Sequence, residues 1–149
     1  MIRGLEPGDA PRLRALLGEF FRELDPRGSL FAEDAPAILT RIYLDAPPEK
    51  IAARVFVDEG ELVGFLLGRF EDRPLRAERR ILFLDAGYTS PGARGKGGMT
   101  ALFREIRSLA KAANLTMMEL ATPVSNEEGL RFWTARGFQA SMTGFTLAP

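Results

Sequence analysis

The chain contains no cysteine and no histidine among its 149 residues. Their absence excludes disulfide bonds, thiol nucleophiles, histidine bases and the usual zinc ligands. Acid–base chemistry therefore falls to aspartate, glutamate, lysine, tyrosine or water. We predict that the protein uses no metal.

Long apolar runs and an excess of charge of either sign are also missing. No run approaches the roughly twenty apolar residues that a membrane-spanning helix needs, and Arg3 and Glu6 follow Met1 too closely for a signal peptide. The 20 Lys and Arg residues balance the 20 Asp and Glu residues, so no long-range field favours nucleic acid or a membrane surface. We predict a cytoplasmic protein without nucleic-acid or membrane partners, in which any anion site is local.

Apolar residues make up 46% of the chain and charged residues 27%, as is typical of a globular domain. The spacing of the apolar residues predicts strands and helices in a mixed order. Strands are predicted over 2–5, 54–57, 61–70, 80–89, 116–122, 137–138 and 142–147. Helices are predicted over 9–24, with Asp9 as its cap, and over 34–44, 99–113 and 126–136. These elements predict one α/β domain over residues 1–149.

The segment from Pro91 to Met99, with the sequence PGARGKGGM, lies between a predicted strand and the start of the most amphipathic helix. Helix starts leave N–H groups unpaired and carry partial positive charge, so their first turn usually contains an acidic residue. Here the first acid is Glu105, and Arg94, Lys96 and three glycines precede it. Glycines let an anion approach the backbone, and the cations add charge. The segment predicts a phosphate-binding loop; the alternative is a flexible turn.

Two common nucleotide-binding motifs do not fit this loop. A Walker A loop requires glycine at position 90 and serine or threonine at position 97, which are Ser90 and Gly97 here. A Rossmann fingerprint requires glycine at position 100, which is Thr100. The predicted phosphate therefore belongs to a ligand that neither motif holds.

Two segments resemble signatures of the GNAT superfamily. Residues 94–99 are similar to its coenzyme A loop, Arg/Gln-x-x-Gly-x-Gly/Ala, through Arg94 and Gly97. Residues 126–138 resemble its pattern Asn-x-x-Ala-x-x-Phe-Tyr-x-x-x-Gly-Phe. The hairpin over 55–70 is also similar to the second and third strands of the family. Together these segments cover nearly the whole chain in order.

The resemblance implies a GNAT-like acyl-CoA N-acyltransferase fold of the α/β (α+β) class, with a central mixed sheet of six or seven strands and helices on both faces. It implies an N-acetyltransferase that moves an acetyl group from acetyl-CoA, its cosubstrate, to a primary amine of a small molecule or peptide by direct attack on the thioester. A non-catalytic acyl-CoA-binding module of the same fold is the alternative, and transfer of a longer acyl group is a third. Because relatives are often dimers, a homodimer stays open.

The resemblance also implies where the cosubstrate binds. The amides of the loop would hold the pyrophosphate, and the pantetheine arm would pair with the backbone near 88–90, in a gap between strands 80–89 and 116–122. Asn126 would reach the arm, and Phe132 would line the thiol end unless it only packs in the core. The implied cofactor-binding residues are Tyr88, Thr89, Ser90, Arg94, Gly95, Lys96, Gly97, Gly98, Met99, Asn126, Phe132 and Trp133.

Five positions depart from the family pattern. Met99 replaces a small residue and would narrow the pyrophosphate pocket. Gly129 replaces alanine, which costs about 1 kcal/mol in a helix interior. Gly87 and Thr89 stand at usually apolar strand positions, and Gly87 indicates a bulge. Trp133 stands where a tyrosine often protonates the departing thiolate, which an indole N–H cannot do.

Two residues of the strand 80–89 are candidates for catalysis. Asp85 stands where many relatives carry glutamate and is the candidate base, acting through water; the alternative is an ordinary surface carboxylate. Tyr88 is a candidate acid in place of the missing tyrosine, or else a core aromatic residue. Backbone N–H groups near a bulge at 87–89 would stabilise the oxyanion. Without an acid, departure of the thiolate would be slower by roughly thirtyfold.

The resemblance places the acceptor pocket at residues 25–34 and 139–143. Asp25, Glu33 and Asp34 would attract a cationic amine there, and Arg27 would meet a carboxylate. The alternative is a run of solvated charges. The sequence does not identify the acceptor.

Overall fold

The computed structural model describes the whole chain, Met1–Pro149, and contains one five-stranded sheet with helices on both faces. The strands lie side by side in chain order: β1 (Ile2–Gly4), β2 (Ile51–Asp58), β3 (Glu61–Asp72), β4 (Arg80–Thr89) and β5 (Met118–Leu120). The first four strands are antiparallel, and β5 is parallel to β4. The helices are α1 (Ala10–Leu24), α2 (Ala35–Asp45), α3 (Gly98–Ala112) and α4 (Glu127–Ala135). The predicted mixed α/β fold is confirmed.

One face of the sheet is covered by α1 and α2. Leu13, Leu16 and Leu17 recur at helical spacing in α1 and are fully buried. They pack with Tyr43 of α2 and Phe65 of β3 in one apolar cluster. The burial of this stripe fixes α1 against the sheet.

The opposite face is covered by α3, and α4 packs against α3. Leu102 and Ile106 of α3 are fully buried against this face. Phe103 contacts Trp133 and Phe138, with ring centroids 6.0 Å apart in both pairs. These aromatic contacts hold the C-terminal end of α4 on α3. No helix of the protein combines the length and apolar character needed to cross a membrane.

The turn between β2 and β3 is a tight hairpin, as predicted. Asp58 faces Glu61, and the two residues between them, Glu59 and Gly60, have φ angles of 50° and 79°. Two consecutive positive φ angles are typical of a type I′ turn, whose twist matches that of the flanking strands.

The prediction of two closing strands at 137–138 and 142–147 is wrong. Residues 138–149 contain no helix or strand, and β5 pairs only with β4. The apolar alternation in this segment does not mark a buried face, because its apolar side chains face solvent. Exposed fractions are 73%, 91% and 89% for Met142, Phe145 and Leu147. The sheet therefore has five strands rather than six or seven.

Asp9 connects the first strand to the first helix. Both nitrogens of the Arg3 guanidinium fork donate to its carboxylate at 2.8 Å, and the Glu6 N–H donates to the same carboxylate at 2.8 Å. The hydrogen bond from Arg3 lowers the pKa of Asp9, although burial opposes the shift. The sequence predicted that Asp9 caps α1. Its side chain instead caps the short turn before α1 and accepts no hydrogen bond from α1 itself.

We expect Asp9→Asn to reveal this ion pair through the pH dependence of stability. Because the pKa of Asp9 is lowered in the folded state, the pair stabilises the fold above the ordinary carboxyl pKa of about 3.9, and its contribution is lost as pH falls through the lowered value. In urea denaturation, the variant should lose about 1–2 kcal/mol at pH 7 and little at pH 2. The control Asp72→Asn alters an exposed carboxylate outside the ion pairs and should change little. Equal losses at both pH values would contradict the ion-pair explanation.

Candidate active site

A cavity of about 1030 Å³ extends from one face of the sheet to the other around the end of β4. On one side its wall is formed by α1 and α2, with residues such as Phe21 and Ile38. On the other side it is formed by α3 and α4, with Met99 and Phe132. Residues 83–89 of β4 lie between the two sides. A ligand in this cavity would therefore touch both helical layers.

The cavity passes through a gap between β4 and β5. The two strands pair only from Leu82 with Met118 to Leu84 with Leu120. Beyond that point β4 continues to Thr89, while residues 121–123 form the opposite wall of the cavity. The separation of two parallel strands that the resemblance implied is thus present.

A bulge in β4 lies at Asp85 rather than at Gly87. The residues on either side, Leu84 and Ala86, face consecutive residues of β3, so Asp85 has no partner across the strand pair. A bulge of this kind bends a strand and redirects its side chains. It directs Asp85 and Ala86 to the α2 side of the sheet, whereas Leu84 packs on the α3 side.

Beyond the bulge, β4 offers backbone groups to the gap. The Ser90 N–H donates to the Val63 carbonyl at 2.8 Å, and residues of an antiparallel pair alternate in the direction of their hydrogen bonds. The backbone groups of Gly87 and Thr89 therefore point away from β3 and toward the gap. The hydroxyl of Thr89 is buried beside Gly64 of β3, 3.2 Å from an ideal Cβ position there, and has no partner in the protein.

Six consecutive backbone N–H groups, of residues 95–100, have no acceptor in the protein. The first N–H of α3 with a backbone partner is that of Ala101, which donates to the Gly97 carbonyl at 3.0 Å. Gly95 and Gly97 have φ angles of 82° and 76°, a left-handed backbone that glycine adopts without strain. A Cβ at Gly98 would lie 2.4 Å from the Phe56 ring, so only glycine lets the helix start so close to the core. The predicted anion-binding geometry is present.

Arg94 lies in the wall of the cavity but is tied to the protein. Its Nε donates to the Thr89 carbonyl at 2.9 Å, and one terminal nitrogen donates to Glu23 at 2.9 Å. Its guanidinium also stacks 5.3 Å from the centroid of the Tyr88 ring. Arg94 thus fastens the loop to β4 and to α1.

Two residues of the predicted cofactor-binding set do not line the cavity. Lys96 donates to Asp58 at 2.6 Å, and this carboxylate raises the pKa of the lysine. Ser90 directs its N–H to β3. The other ten residues of the set line one continuous cavity.

The departures at Gly87 and Met99 adjoin each other. A Cβ at Gly87 would lie 2.9 Å from a methyl carbon of Leu66, so the neighbouring strand is what favours glycine there. The methyl carbon and the sulfur of Met99 lie 3.5 Å and 3.6 Å from the same Cβ position, at ordinary contact distance. Met99 therefore packs beside the backbone of β4.

A third departure is explained by Asn126, which caps α4. Its Oδ1 accepts the Gly129 N–H at 3.1 Å, and its Nδ2 donates to Thr122 at 2.8 Å. A Cβ at position 129 would lie 2.2 Å from that Nδ2 atom. Glycine at this position therefore leaves room for the cap. The Asn126 side chain is used within the protein, although the residue also lines the cavity.

The carboxylate of Asp85 lines the cavity but is not free. It accepts two hydrogen bonds from Arg69, one of them at 2.9 Å, and one from the Tyr43 hydroxyl at 2.6 Å. Its side chain is only 12% exposed. Burial, reinforced by the charge of Asp85, raises the pKa of Tyr43, which therefore stays protonated and donates. The sequence placed Asp85 as a base and could not foresee these two partners.

Tyr88 forms a pair with Glu23, a residue that the sequence analysis missed. The Tyr88 hydroxyl donates to Glu23 at 3.1 Å, and burial raises the pKa of Tyr88 to about 12. The ring is 6% exposed and packs edge-on against Phe20. Glu23 lies on α1, where no sequence motif marks it; only the folded contact with β4 does.

The acidic residues predicted to attract the acceptor are not gathered at the cavity. Asp25 accepts N–H groups from Ser29, Leu30 and Phe31 at 2.9–3.1 Å, and these bonds lower its pKa. Neither Glu33 nor Asp34 lines the cavity, and both are exposed, as is Arg27. The C-terminal residues 139–143 do not line it either. Apolar residues of α1, α2 and their connection form this wall instead.

Comparison with known proteins gives the family of this chain. The sequence model of the Acetyltransferase (GNAT) family matches residues 10–138. The fold is thus that of an acetyltransferase, and the chain belongs to the GNAT acetyltransferase family. No curated protein matches the sequence.

Solved structures share the fold across nearly the whole chain. A mutant of the BH1408 protein from Bacillus halodurans superimposes with a TM-score of 0.83 at 20% identity, covering 100% of this chain and 99% of the other. The ribosomal-protein-alanine N-acetyltransferase from Brucella melitensis biovar Abortus 2308 gives 0.73 at 20% identity, covering 99% of both chains. The aminoglycoside N-acetyltransferase AAC(6′)-Iy, in complex with the bisubstrate analog CoA-S-monomethyl-acetylneamine, gives 0.77 at 17% identity, covering 100% and 97%. At these identities the likeness concerns the fold.

Proposed function

We propose that this acetyltransferase uses acetyl-CoA as its cosubstrate and acetylates a primary amine of a small molecule or peptide by direct attack on the thioester. The observation that carries the proposal is the row of unpaired amides at residues 95–100, at one end of a cavity that continues through the gap between β4 and β5. Two of the three similar structures support it: one is a ribosomal-protein-alanine N-acetyltransferase, and another was solved with the bisubstrate analog CoA-S-monomethyl-acetylneamine.

The residues of the cavity fit coenzyme A. The free amides of 95–100 suit a diphosphate, which helix starts bind through N–H groups and the helix dipole. The backbone of Gly87 and the N–H of Thr89, which point away from β3, suit the amides of the pantetheine arm. Asn126 and Phe132 line the same passage, with Trp133 beside them. Lys96 would act only through its charge, from outside the cavity.

Direct transfer requires a neutral amine, a donor for the oxyanion and a proton for the thiolate. The nitrogen of the amine forms a bond to the thioester carbon, the carbon–sulfur bond breaks, and the proton lost by the amine ends on the sulfur. The N–H of Gly87, which points into the gap, is the proposed donor for the oxyanion. Acetyl-CoA supplies the activated acetyl group when bound.

Two carboxylates lie on the acceptor side of the cavity and compete for the role of base. Asp85 would have to loosen its contacts with Arg69 and Tyr43 to take up a proton. Glu23 is half exposed, so solvent screens its attraction to Arg94, and it already holds the Tyr88 hydroxyl. We therefore assign the amine proton to Glu23 and the proton for the thiolate to Tyr88. Glu23 then returns a proton to the Tyr88 oxygen through their hydrogen bond, so that the proton lost by the amine ends on the sulfur. Asp85 holds the wall through its hydrogen bonds with Arg69.

One observation favours the alternative of a non-catalytic acyl-CoA-binding module. Trp133 stands in the position of the family tyrosine and packs against Phe103, Phe132 and Phe138. No acid group is therefore present at that position. Binding of coenzyme A without turnover would distinguish this module from an enzyme. Comparing turnover of acetyl-CoA with that of longer acyl-CoA thioesters would show which acyl group is transferred.

We expect coenzyme A binding to change the fluorescence of Trp133, the only tryptophan of the chain, because this residue lines the cavity. Calorimetry should give the same affinity. Acetyl-CoA turnover can be followed with a thiol reagent, since the chain contains no cysteine. A panel of aliphatic, aromatic, polycationic and peptide amines should include acceptors that release thiol above the uncatalysed rate.

The outcomes of this experiment separate the hypotheses. Binding without turnover on any amine would favour the non-catalytic module. If coenzyme A gave no fluorescence change and no calorimetric signal, both hypotheses would be contradicted.

We expect Glu23→Gln to lower kcat/KM at pH 7 by about 10²-fold or more, with the loss shrinking as pH approaches the pKa of the amine, because the neutral amine then forms without a base. Tyr88→Phe keeps the ring packing and should lower kcat by up to about thirtyfold. Asp85→Asn should reduce stability in urea denaturation, because it leaves the Arg69 charge without its partner. Coenzyme A affinity serves as the control for all three.

The assignment of the base would be wrong if Asp85→Asn showed the pH-dependent loss and Glu23→Gln kept the parent rate. The base would then be Asp85, as its position in the strand had suggested.

A further inference from the structure

The acceptor side of the cavity is apolar and partly open to solvent. Its wall contains Phe21, Leu24, Leu30, Phe31, Ile38 and Leu39. Leu30, Phe31 and Ile38 keep 63%, 39% and 37% of their surface exposed. Exposed apolar side chains gathered in one concave wall are typical of a binding site rather than of an ordinary surface.

The connection between α1 and α2 holds part of this wall in place. The buried carboxylate of Asp25 accepts three consecutive N–H groups, of Ser29, Leu30 and Phe31. The Phe31 ring then packs on Phe21, with centroids 5.1 Å apart. Leu30 and Phe31 are therefore fixed over the cavity by backbone hydrogen bonds that do not depend on a ligand.

Charged groups are confined to the inner end of this wall. Glu23 lies next to Tyr88 and Arg94, and the carboxylate of Asp85 is held by Arg69 and Tyr43. The outer part of this wall, formed by α1, α2 and their connection, has no carboxylate among the residues that line the cavity; the remaining lining carboxylate, Glu128, lies on α4, on the other side of the gap. A polycation would lose hydration there without gaining a partner.

We infer that the acceptor is a primary amine on an apolar body, aliphatic or aromatic, whose ammonium group meets Glu23 while the body lies against Phe31 and Ile38. The inference rests on the proposed function and specifies its substrate class. An aminoglycoside or a polyamine does not match this wall. Each methylene buried there should raise kcat/KM about fourfold until the wall is covered.

The test is a series of primary amines with acetyl-CoA in the thiol-release assay. Ethylamine, n-butylamine, n-hexylamine and 2-phenylethylamine vary the apolar body, while ethanolamine, spermidine and kanamycin test polar and polycationic acceptors. We expect kcat/KM to rise along the alkyl series, and to be at least tenfold higher for n-hexylamine than for spermidine or kanamycin.

Two variants connect this preference to the wall. Phe31→Ala should lower kcat/KM for n-hexylamine about tenfold and for ethylamine much less. The affinity for coenzyme A, measured by Trp133 fluorescence, should not change. Ile38→Ala provides a second test that leaves the stacking of Phe31 on Phe21 intact. The control Leu75→Ala removes an apolar side chain that is 98% exposed and outside the cavity, and should not alter the series.

A flat alkyl series, or higher turnover with spermidine or kanamycin, would overturn the apolar acceptor while leaving the acetyltransferase function in place. Equal losses for n-hexylamine and ethylamine in both wall variants would also overturn it. No turnover on any amine would overturn the proposed function, and the acceptor class with it.

Discussion

The start of α3 carries backbone amides that the protein itself does not satisfy. Unpaired N–H groups are costly when they lie against a core, and here Gly98 rests directly on Phe56. The positive φ angles of Gly95 and Gly97 keep these amides exposed in one concave loop. Nothing acidic in the first turn competes for them. An anion is therefore the natural partner, and the position of this loop relative to β4 determines where the rest of a ligand lies.

Two features of β4 turn this loop into a site for an elongated ligand. The bulge at Asp85 redirects the strand, and its pairing with β5 ends at Leu84, so the backbone beyond it faces a gap. Gly87, where a Cβ would lie 2.9 Å from Leu66, brings the strand backbone beside Met99 at the start of α3. The same strand brings Tyr88 to Glu23 on the acceptor side. In the proposed site, β4 thus connects the loop that would hold the diphosphate to the groups that would place the thioester and move the proton.

Local patterns were sufficient to predict the helices, the hairpin and the glycine-rich loop before α3, because turn chemistry and apolar spacing act over a few residues. The pairing of Glu23 with Tyr88 and the ion pair of Asp85 with Arg69 join residues distant in sequence, and no local signal marks them. Asp25 was interpreted as a site for cations, but its partners exist only once the connection has folded around it. The prediction of the closing strands was wrong for another reason. Alternating apolar residues form a strand only where they can pair with a sheet edge and bury one face.

The central claim is that the amides of residues 95–100 bind the diphosphate of coenzyme A. The most direct measurement is a ¹H–¹⁵N NMR titration of the assigned protein with coenzyme A. The account predicts that the amide signals of Gly95 to Thr100 shift most, together with those of Gly87 and Thr89, because these N–H groups have no acceptor in β3 or in the loop and face the proposed ligand. Saturable binding that leaves the signals of residues 95–100 unchanged would contradict it.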